Sequence, residues 1–363
     1  MIYKQFQDKQ LSQLGFGTMR LPLLADGVTI DEAQVETMTA YAIEHGINYF
    51  DTAYPYHQGN SERVIGRVLS KYPRESFYLA TKYPGHQIAS SYDPAAIFEE
   101  QLQKCGVEYF DFYLLHNVYE RSIDTYMDPQ WGILDYFLEQ KRLGRIKHLG
   151  FSTHGSVPVL EKFLNYCGEH MEFCQIQLNY LDWSLQDARA KCALLNKWNI
   201  PIWVMEPVRG GKLANLPQED TDALHQLRPG VSAPEWAFRF LQGIPGVTMV
   251  LSGMSNLDQL TENIRTFSDL RPLNKQEKAA LTKIADRMIA QKGVPCTACG
   301  YCIEKCVKGL NIPELIKAYN ENTPYEGIGP EACIGCRRCE SLCPQGIKIS
   351  EVMSRFCEKR KEG

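Results

Sequence analysis

Between Leu14 and Phe267 the chain repeats one pattern eight times: a short β-rich run, then a stretch with helical spacing, at an interval of about thirty residues. The predicted strands are Leu14–Gly17, Ile47–Asp51, Phe77–Lys82, Phe110–His116, Ile146–Ser152, Phe173–Gln177, Ile200–Glu206 and Val247–Ser252. The helical stretches are Asp31–His45, Ser61–Ser70, Pro94–Cys105, Ile133–Leu143, Val157–Cys167, Leu185–Trp198, Pro234–Leu241 and Leu257–Phe267. Eight such units fit a closed (β/α)8 TIM barrel. An open doubly wound sheet is the rival, but no Gly-x-Gly-x-x-Gly joins the first strand to its helix. At 363 residues and 44% hydrophobic content, the chain can fill one large core and have about 70 residues left over.

A helical segment, Lys275–Gln291, leads through Gly293 and Pro295 into that remainder. The expected division is a barrel over 1–272, a linking helix over 273–292 and a cysteine-rich domain over 293–363. The last part holds two runs, Cys296-x2-Cys299-x2-Cys302-x3-Cys306 and Cys333-x2-Cys336-x2-Cys339-x3-Cys343-Pro344. Three thiolates at x2 spacing take one [4Fe–4S] cube, and the fourth reaches over to the neighbouring cube. Crossed ligation assigns Cys296, Cys299, Cys302 and Cys343 to one cluster, and Cys333, Cys336, Cys339 and Cys306 to the other. Structural zinc also uses Cys-x2-Cys pairs but would leave thiols idle. A disulfide framework fits poorly with Cys105, Cys167, Cys174, Cys192 and Cys357, scattered and best read as small core residues. The segment Asn322–Glu331, rich in Gly and Pro, separates the cysteine loops as a mobile or cluster-covering insertion.

No apolar run approaches the length of a membrane span, and Met1-Ile2-Tyr3-Lys4-Gln5 lacks a signal-like apolar stretch. A cytoplasmic protein is expected, with no membrane partner. A net charge of −4 with interspersed signs argues against nucleic acid as a partner. The tail Glu358-Lys359-Arg360-Lys361-Glu362 reads as a solvated end.

Chemistry in a barrel of this kind sits at the C-terminal ends of the strands. There the sequence places Asp51, then Tyr56, then Lys82, then His116. A phenol is a weak acid at neutral pH, and an ammonium held by a carboxylate makes it a better one. Tyr56 is therefore the candidate acid, Lys82 its charged neighbour, Asp51 the anchor of Lys82, and His116 the group that orients a carbonyl oxygen. Taken singly, Asp51 could cap a helix, Lys82 could end a strand in solvent, and His116 could be an ordinary loop histidine.

With these residues in place the chain resembles the aldo-keto reductases over about residues 10–270. The motifs are Leu14-Gly15-Phe16-Gly17-Thr18-Met19-Arg20, Asp51-Thr52-Ala53-x2-Tyr56, Ser61-Glu62-x3-Gly66, Ala80-Thr81-Lys82, Leu114-Leu115-His116, Gly150-Phe151-Ser152, Gln175-x3-Asn179-Tyr180 and Glu262-Asn263. The resemblance implies NAD(P)H-dependent reduction of an aldehyde or ketone, with Asp51, Tyr56, Lys82 and His116 as the catalytic tetrad. It implies cofactor contacts at Gly17, Thr18 and Met19, and carboxamide contacts at Ser152, Thr153 and Gln175. A pyrophosphate loop is implied at Pro207, Val208, Arg209, Gly210, Gly211, Lys212 and Leu213, its glycines admitting backbone N–H groups and its cations supplying charge. Ser252, Ser255, Gln259 and Asn263 are implied at the adenosine end. Met205 stands where many relatives stack an aromatic ring on the nicotinamide. Gly253 and Gln259 stand where cations usually clamp the 2′-phosphate, so NADP is implied by the family and NAD is the alternative. Trp131, Trp183, Tyr83 and Tyr180 are candidate apolar walls for the substrate.

The C-terminal part resembles bacterial two-cluster ferredoxins, small α+β folds, and the whole chain resembles the reductase subgroup that carries such a module. Arg337 and Arg338, within the second cysteine run, are candidates for docking an acidic redox partner protein. Nicotinamide gives a hydride whereas each cube takes one electron, so a flavin is the usual mediator. The sequence shows no flavin site. Three roles follow: a hydride reductase with structural or sensing clusters, a flavin- or partner-mediated electron-transfer protein, or an idle barrel in an electron-transfer assembly.

Overall fold

The computed structural model describes residues 1–87 and 89–362, without the side chains of Lys361 and Glu362, so that part of the expected solvated tail lies outside the described residues. Among the described residues ten strands form: β1 (Tyr3–Phe6), β2 (Lys9–Ser12), β3 (Leu14–Gly17), β4 (Tyr49–Asp51), β5 (Tyr78–Tyr83), β6 (Phe110–Leu115), β7 (Ile146–Thr153), β8 (Cys174–Gln177), β9 (Ile202–Met205) and β10 (Val247–Gly253). Strands β3 to β10 close a parallel barrel, β10 pairing with both β9 and β3. All eight expected strands are present within one or two residues of their expected ends, the usual scatter at element boundaries.

The hairpin β1–β2 had no counterpart in the sequence reading, because two four-residue strands of mixed polarity give little periodicity. It stoppers the barrel floor. Phe6 and Leu11 are buried with Tyr49, Phe112, Phe173 and Trp203, and the Phe6 ring lies 5.5 Å from Phe112 and 5.2 Å from Trp203. A second apolar layer joins the outer faces of the strands to the surrounding helices.

Local capping explains several helix starts. Asp31 accepts from the Gln34 amide, Asp93 from that of Ala96 with Pro94 in the first turn, and Asn274 with Glu277 forms a reciprocal capping box. The expected helix Leu185–Trp198 is instead two, Asp182–Leu185 and Ala188–Lys197, because Asp187 adopts the left-handed conformation at φ 50°. The helix Lys275–Ala290 packs Leu281, Ile284 and Ala285 into the barrel's own core, with Arg228 and Arg287 paired to Glu277 and Asp220.

Residues beyond Val294 build a separate small core around Leu310, Ile316, Ile347, Val352 and Phe356, supplied by the helices Ile312–Glu321 and Ile349–Glu362. No strand occurs among the described residues after Gly253. Positive φ at Gly300, Gly309, Gly335 and Gly346 keeps the cysteine segments in turns. Tyr325, in the Gly- and Pro-rich segment, packs against this core. Cys105, Cys167, Cys174 and Cys192 are buried in the barrel part, as expected of small core residues, and Cys357 is half-buried on the last helix. Among the described residues no helix is long and apolar enough to cross a membrane.

Candidate active site

Asp51 ends β4, Lys82 lies on β5 and His116 follows β6, so the parallel register brings all three to one end of the barrel. The Lys82 Nζ donates to the Asp51 Oδ1 at 2.6 Å and to the Thr52 carbonyl at 2.6 Å. A short turn with His57 and Gln58 in the left-handed region brings Tyr56 over this pair. The Lys82 Nζ is 5.0 Å from the Tyr56 ring centroid, and the Tyr56 and His116 rings are 6.2 Å apart. Behind them the Ser61 hydroxyl meets those of Thr18 and Thr52 at 2.7 and 2.9 Å. Glu62 accepts from Thr81 and Gln101, and Gln101 also holds the Lys82 carbonyl. The Ser-Glu motif thus fixes the strand ends that carry the tetrad.

Burial dominates the electrostatics here. It pushes the Tyr56 phenol well above its usual pKa, with Tyr301 and Asp51 adding to the effect. It holds His116 well below the usual imidazole range, helped by His86 and Lys82. Asp51 is raised by burial against the pull of Lys82, and Lys82 is lowered by burial against the pull of Asp51.

Tyr56, His116 and Asp51 open on a cavity of about 430 Å³. Its wall includes Gly17, Met19, Gln175, Met205, Pro207, Val208, Gly210 and Gly211, and it continues to Ser252, Ser255, Gln259 and Asn263. The buried Gln175 Oε1 has no partner among the described residues, which suits a carboxamide N–H donor. Other expected contact residues already hold hydrogen bonds within the barrel. Thr18 donates to the Asp51 carbonyl, Ser152 accepts from the Asn117 amide, and Thr153 donates to the Val118 carbonyl.

Arg209, expected on a phosphate, is buried against Asp182 and donates to the Pro295 carbonyl at 3.2 Å. Lys212 is exposed and off the cavity wall. The reason is tertiary: a buried guanidinium requires a carboxylate, and packing brings Asp182 to it. None of Trp131, Trp183, Tyr83 and Tyr180 lines the cavity; all four pack into the barrel core, and Met205, Phe238 and Leu251 supply apolar wall instead.

The eight cysteines of the two runs surround two small cavities. One is lined by Cys296, Cys299, Cys302 and Cys343, the other by Cys306, Cys333, Cys336 and Cys339. Backbone amides of Ala298 and Leu310 donate to the Cys296 and Cys306 sulfurs at 3.4 Å. No three His, Cys, Asp or Glu side chains among the described residues converge closely enough for a single metal ion. Four thiols around each cavity match the ligand count of one cube.

The aldo/keto reductase family model matches residues 13–286. The chain belongs to the aldo/keto reductase family. A 4Fe-4S dicluster domain model matches residues 295–347. Among curated relatives, an uncharacterized oxidoreductase of Bacillus subtilis, YqkF, is 26% identical over 76% of this chain and 92% of its own length. The NADH-specific methylglyoxal reductase of Escherichia coli is 24% identical over 61% of this chain and 79% of its own. The holo form of the aldo-keto reductase AKR11C1 from Bacillus halodurans superposes with a TM-score of 0.64 at 26% identity, covering 78% of this chain and 96% of that one. This aldo/keto reductase is accordingly an oxidoreductase with a TIM barrel and a 4Fe-4S dicluster region.

Several residues of the reductase's cavity wall were not legible in the sequence. Arg20 lies inside the first motif and Glu206 at a strand end, so position alone offered a weak signal for each. Thr297, Cys299, Tyr301 and Pro344 belong to the cysteine region yet line the same cavity as Tyr56. Arg20 donates to the Thr297 carbonyl at 3.0 Å, Gln345 to Gln177 at 2.8 Å and Tyr119 to the Ser341 carbonyl at 3.2 Å. Gly210, at φ 62°, lies directly against the Thr297 carbonyl, where a Cβ would collide.

Proposed function

We propose that this protein reduces an aldehyde or ketone by hydride transfer from NADPH or NADH, with Asp51, Tyr56, Lys82 and His116 as its catalytic residues. The supporting observation is one continuous cavity that starts at Tyr56 and His116, passes the unpartnered Gln175 amide oxygen and reaches Ser252 and Asn263. A bound dinucleotide supplies a hydride to the carbonyl carbon. Tyr56 gives its proton to the carbonyl oxygen, the charge of Lys82 favours the phenolate left behind, Asp51 holds Lys82, and neutral His116 orients the oxygen. The remaining dinucleotide contacts of this reading are Gly17, Met19, Pro207, Val208, Gly210, Gly211, Ser255 and Gln259. No ammonium stands at Gly253 or Gln259 and the Arg20 guanidinium is held by Thr297, so discrimination between NADPH and NADH stays within about tenfold. Anaerobic titration of both cofactors against a carbonyl panel that includes methylglyoxal tests the reading, and full turnover by Tyr56→Phe would sink it.

Cys296, Cys299, Cys302 and Cys343 hold one cluster of this reading and Cys306, Cys333, Cys336 and Cys339 the other, in a domain that starts near residue 293 and a cytoplasmic setting. Such clusters supply single-electron chemistry. A second reading rests on Cys299, which lines both the active cavity and the first cysteine cavity. There the first cluster exchanges electrons with a flavin or another redox molecule in the barrel mouth. Absorbance near about 450 nm that survives cluster removal would favour it.

The second cysteine cavity has Cys336 exposed, Lys305, Lys308 and Arg337 on its wall and exposed Arg338 next in the chain, none of the four cations in an ion pair among the described residues. Exposed Val307 and Ile334 lie among these cations. An acidic single-electron carrier protein fits that rim. Its reduction of the protein should slow at high salt and in Arg337→Glu/Arg338→Glu, and equal rates in both tests would exclude this face.

A further inference from the structure

We propose that Tyr301 is a positioning residue for Tyr56, delivered to the active cavity by the loop that carries Cys299 and Cys302. The proposal rests on the reading in which Tyr56 is the proton donor. Tyr301 lines the cavity with Tyr56, His116 and Gln175, and its phenol is close enough to that of Tyr56 to help push the Tyr56 pKa up. Its ring centroid lies 6.4 Å from that of His86, which in turn stands 4.3 Å from that of His116. The segment that presents it is pinned on several sides: Arg20 holds the Thr297 carbonyl, Arg209 the Pro295 carbonyl, and Gln177 and Gln186 hold Gln345. Gly300, at φ 82°, makes the turn that aims the phenol inward.

A hydroxyl has one proton to donate and two lone pairs to accept with. Tyr56 and Tyr301 both present their hydroxyls to the cavity. With a carbonyl oxygen in the cavity, Tyr56 donates to the carbonyl and Tyr301 donates to Tyr56. One proton leaves Tyr56 for the substrate oxygen as the hydride reaches carbon. The proton of Tyr301 stays on Tyr301 and faces the charge left on the Tyr56 oxygen, beside Lys82. A preorganised donor at such a developing charge acts in the transition state more than in the ground state, so it changes kcat and not KM. The group at this place comes from the loop of the first cysteine run, which completes the active site.

Tyr301→Phe removes the hydroxyl and keeps the ring. Its kcat should fall about 10- to 100-fold, with KM and cofactor affinity within about twofold and iron content unchanged. 3-Fluorotyrosine at position 301 keeps the donor and should restore kcat. A kcat for Tyr301→Phe within about twofold of the parent, or a loss that the fluorinated residue leaves uncorrected, overturns the proposal. Tyr56→Phe is assayed alongside. If it retains turnover, the hydride reading fails; if it is inactive while Tyr301→Phe is fully active, the role of Tyr301 alone fails.

Discussion

The ammonium of Lys82 lies 2.6 Å from the Asp51 carboxylate, with side-chain exposures of 0% and 4%. Removing either partner leaves the other charged and buried, which typically costs about 3–5 kcal/mol. Asp51→Asn and Lys82→Met are therefore each expected to lower unfolding stability by about that amount and kcat by 100-fold or more, on the order of what an acid catalyst supplies. The double variant should recover most of the stability and none of the kcat. Denaturant unfolding and steady-state kinetics on the three variants check this, and recovered kcat in the double variant would remove Lys82 from the proton transfer.

The pH profile follows from the two neighbouring groups. Tyr56 keeps its proton to well above the usual phenol value because it is buried, and His116 stays neutral to well below the usual imidazole value for the same reason. A general acid works while protonated, so kcat/KM should be flat from about pH 6 to 9 and fall only on the alkaline side. His116→Gln should keep that shape. An acidic limb near about pH 6.5 that vanishes in His116→Gln would mean a titrating imidazole at the site.

Arg209 separates two roles for the loop after β9. Buried against Asp182 and holding the Pro295 carbonyl, it ties the barrel to the cysteine region. Arg209→Met should lower stability by about 3 kcal/mol and loosen the first cluster, while the NADPH dissociation constant, read by nicotinamide fluorescence, stays within about twofold. A tenfold loss of NADPH affinity at unchanged stability would return Arg209 to the phosphate.

At the floor of the barrel Glu172 accepts from Gln7, His148 and the Leu149 amide and pairs with Lys141. Burial raises its pKa, yet these bonds together outweigh it and pull the carboxyl down to about 2. A depressed folded-state pKa means stability that is complete above the unfolded value near 4.5 and lost as the pH falls toward about 2. Discounted for solvent screening, the contribution at neutral pH is on the order of 2–3 kcal/mol. Glu172→Gln should unfold more readily at pH 7 and show a shallower acid dependence below about pH 4.5, followed by tryptophan fluorescence. Parallel acid curves for the two proteins would contradict the assignment.

How much was legible varied with the range of the interaction. Asp51, Lys82 and His116 could be placed because each ends a strand whose periodicity marks it, and the parallel register does the rest. The hairpin β1–β2 and the helix Gln218–Leu227 were missed, since short or polar elements give weak patterns. Arg209 was misread because a Gly-Gly turn with cations is the local pattern of a phosphate loop, whereas its partner Asp182 is chosen by packing.

By itself the sequence determined the eight β/α units, the strand-end positions of the tetrad and the crossed grouping of the eight cysteines, because each is written in spacing along the chain. Only the tertiary structure decided that the first cysteine loop lies against the barrel mouth, with Tyr301 at Tyr56 and Cys299 in the cavity wall. That placement depends on Arg20, Gly210 and Gln345 meeting residues remote in the chain, and contacts of that range leave no local period to read.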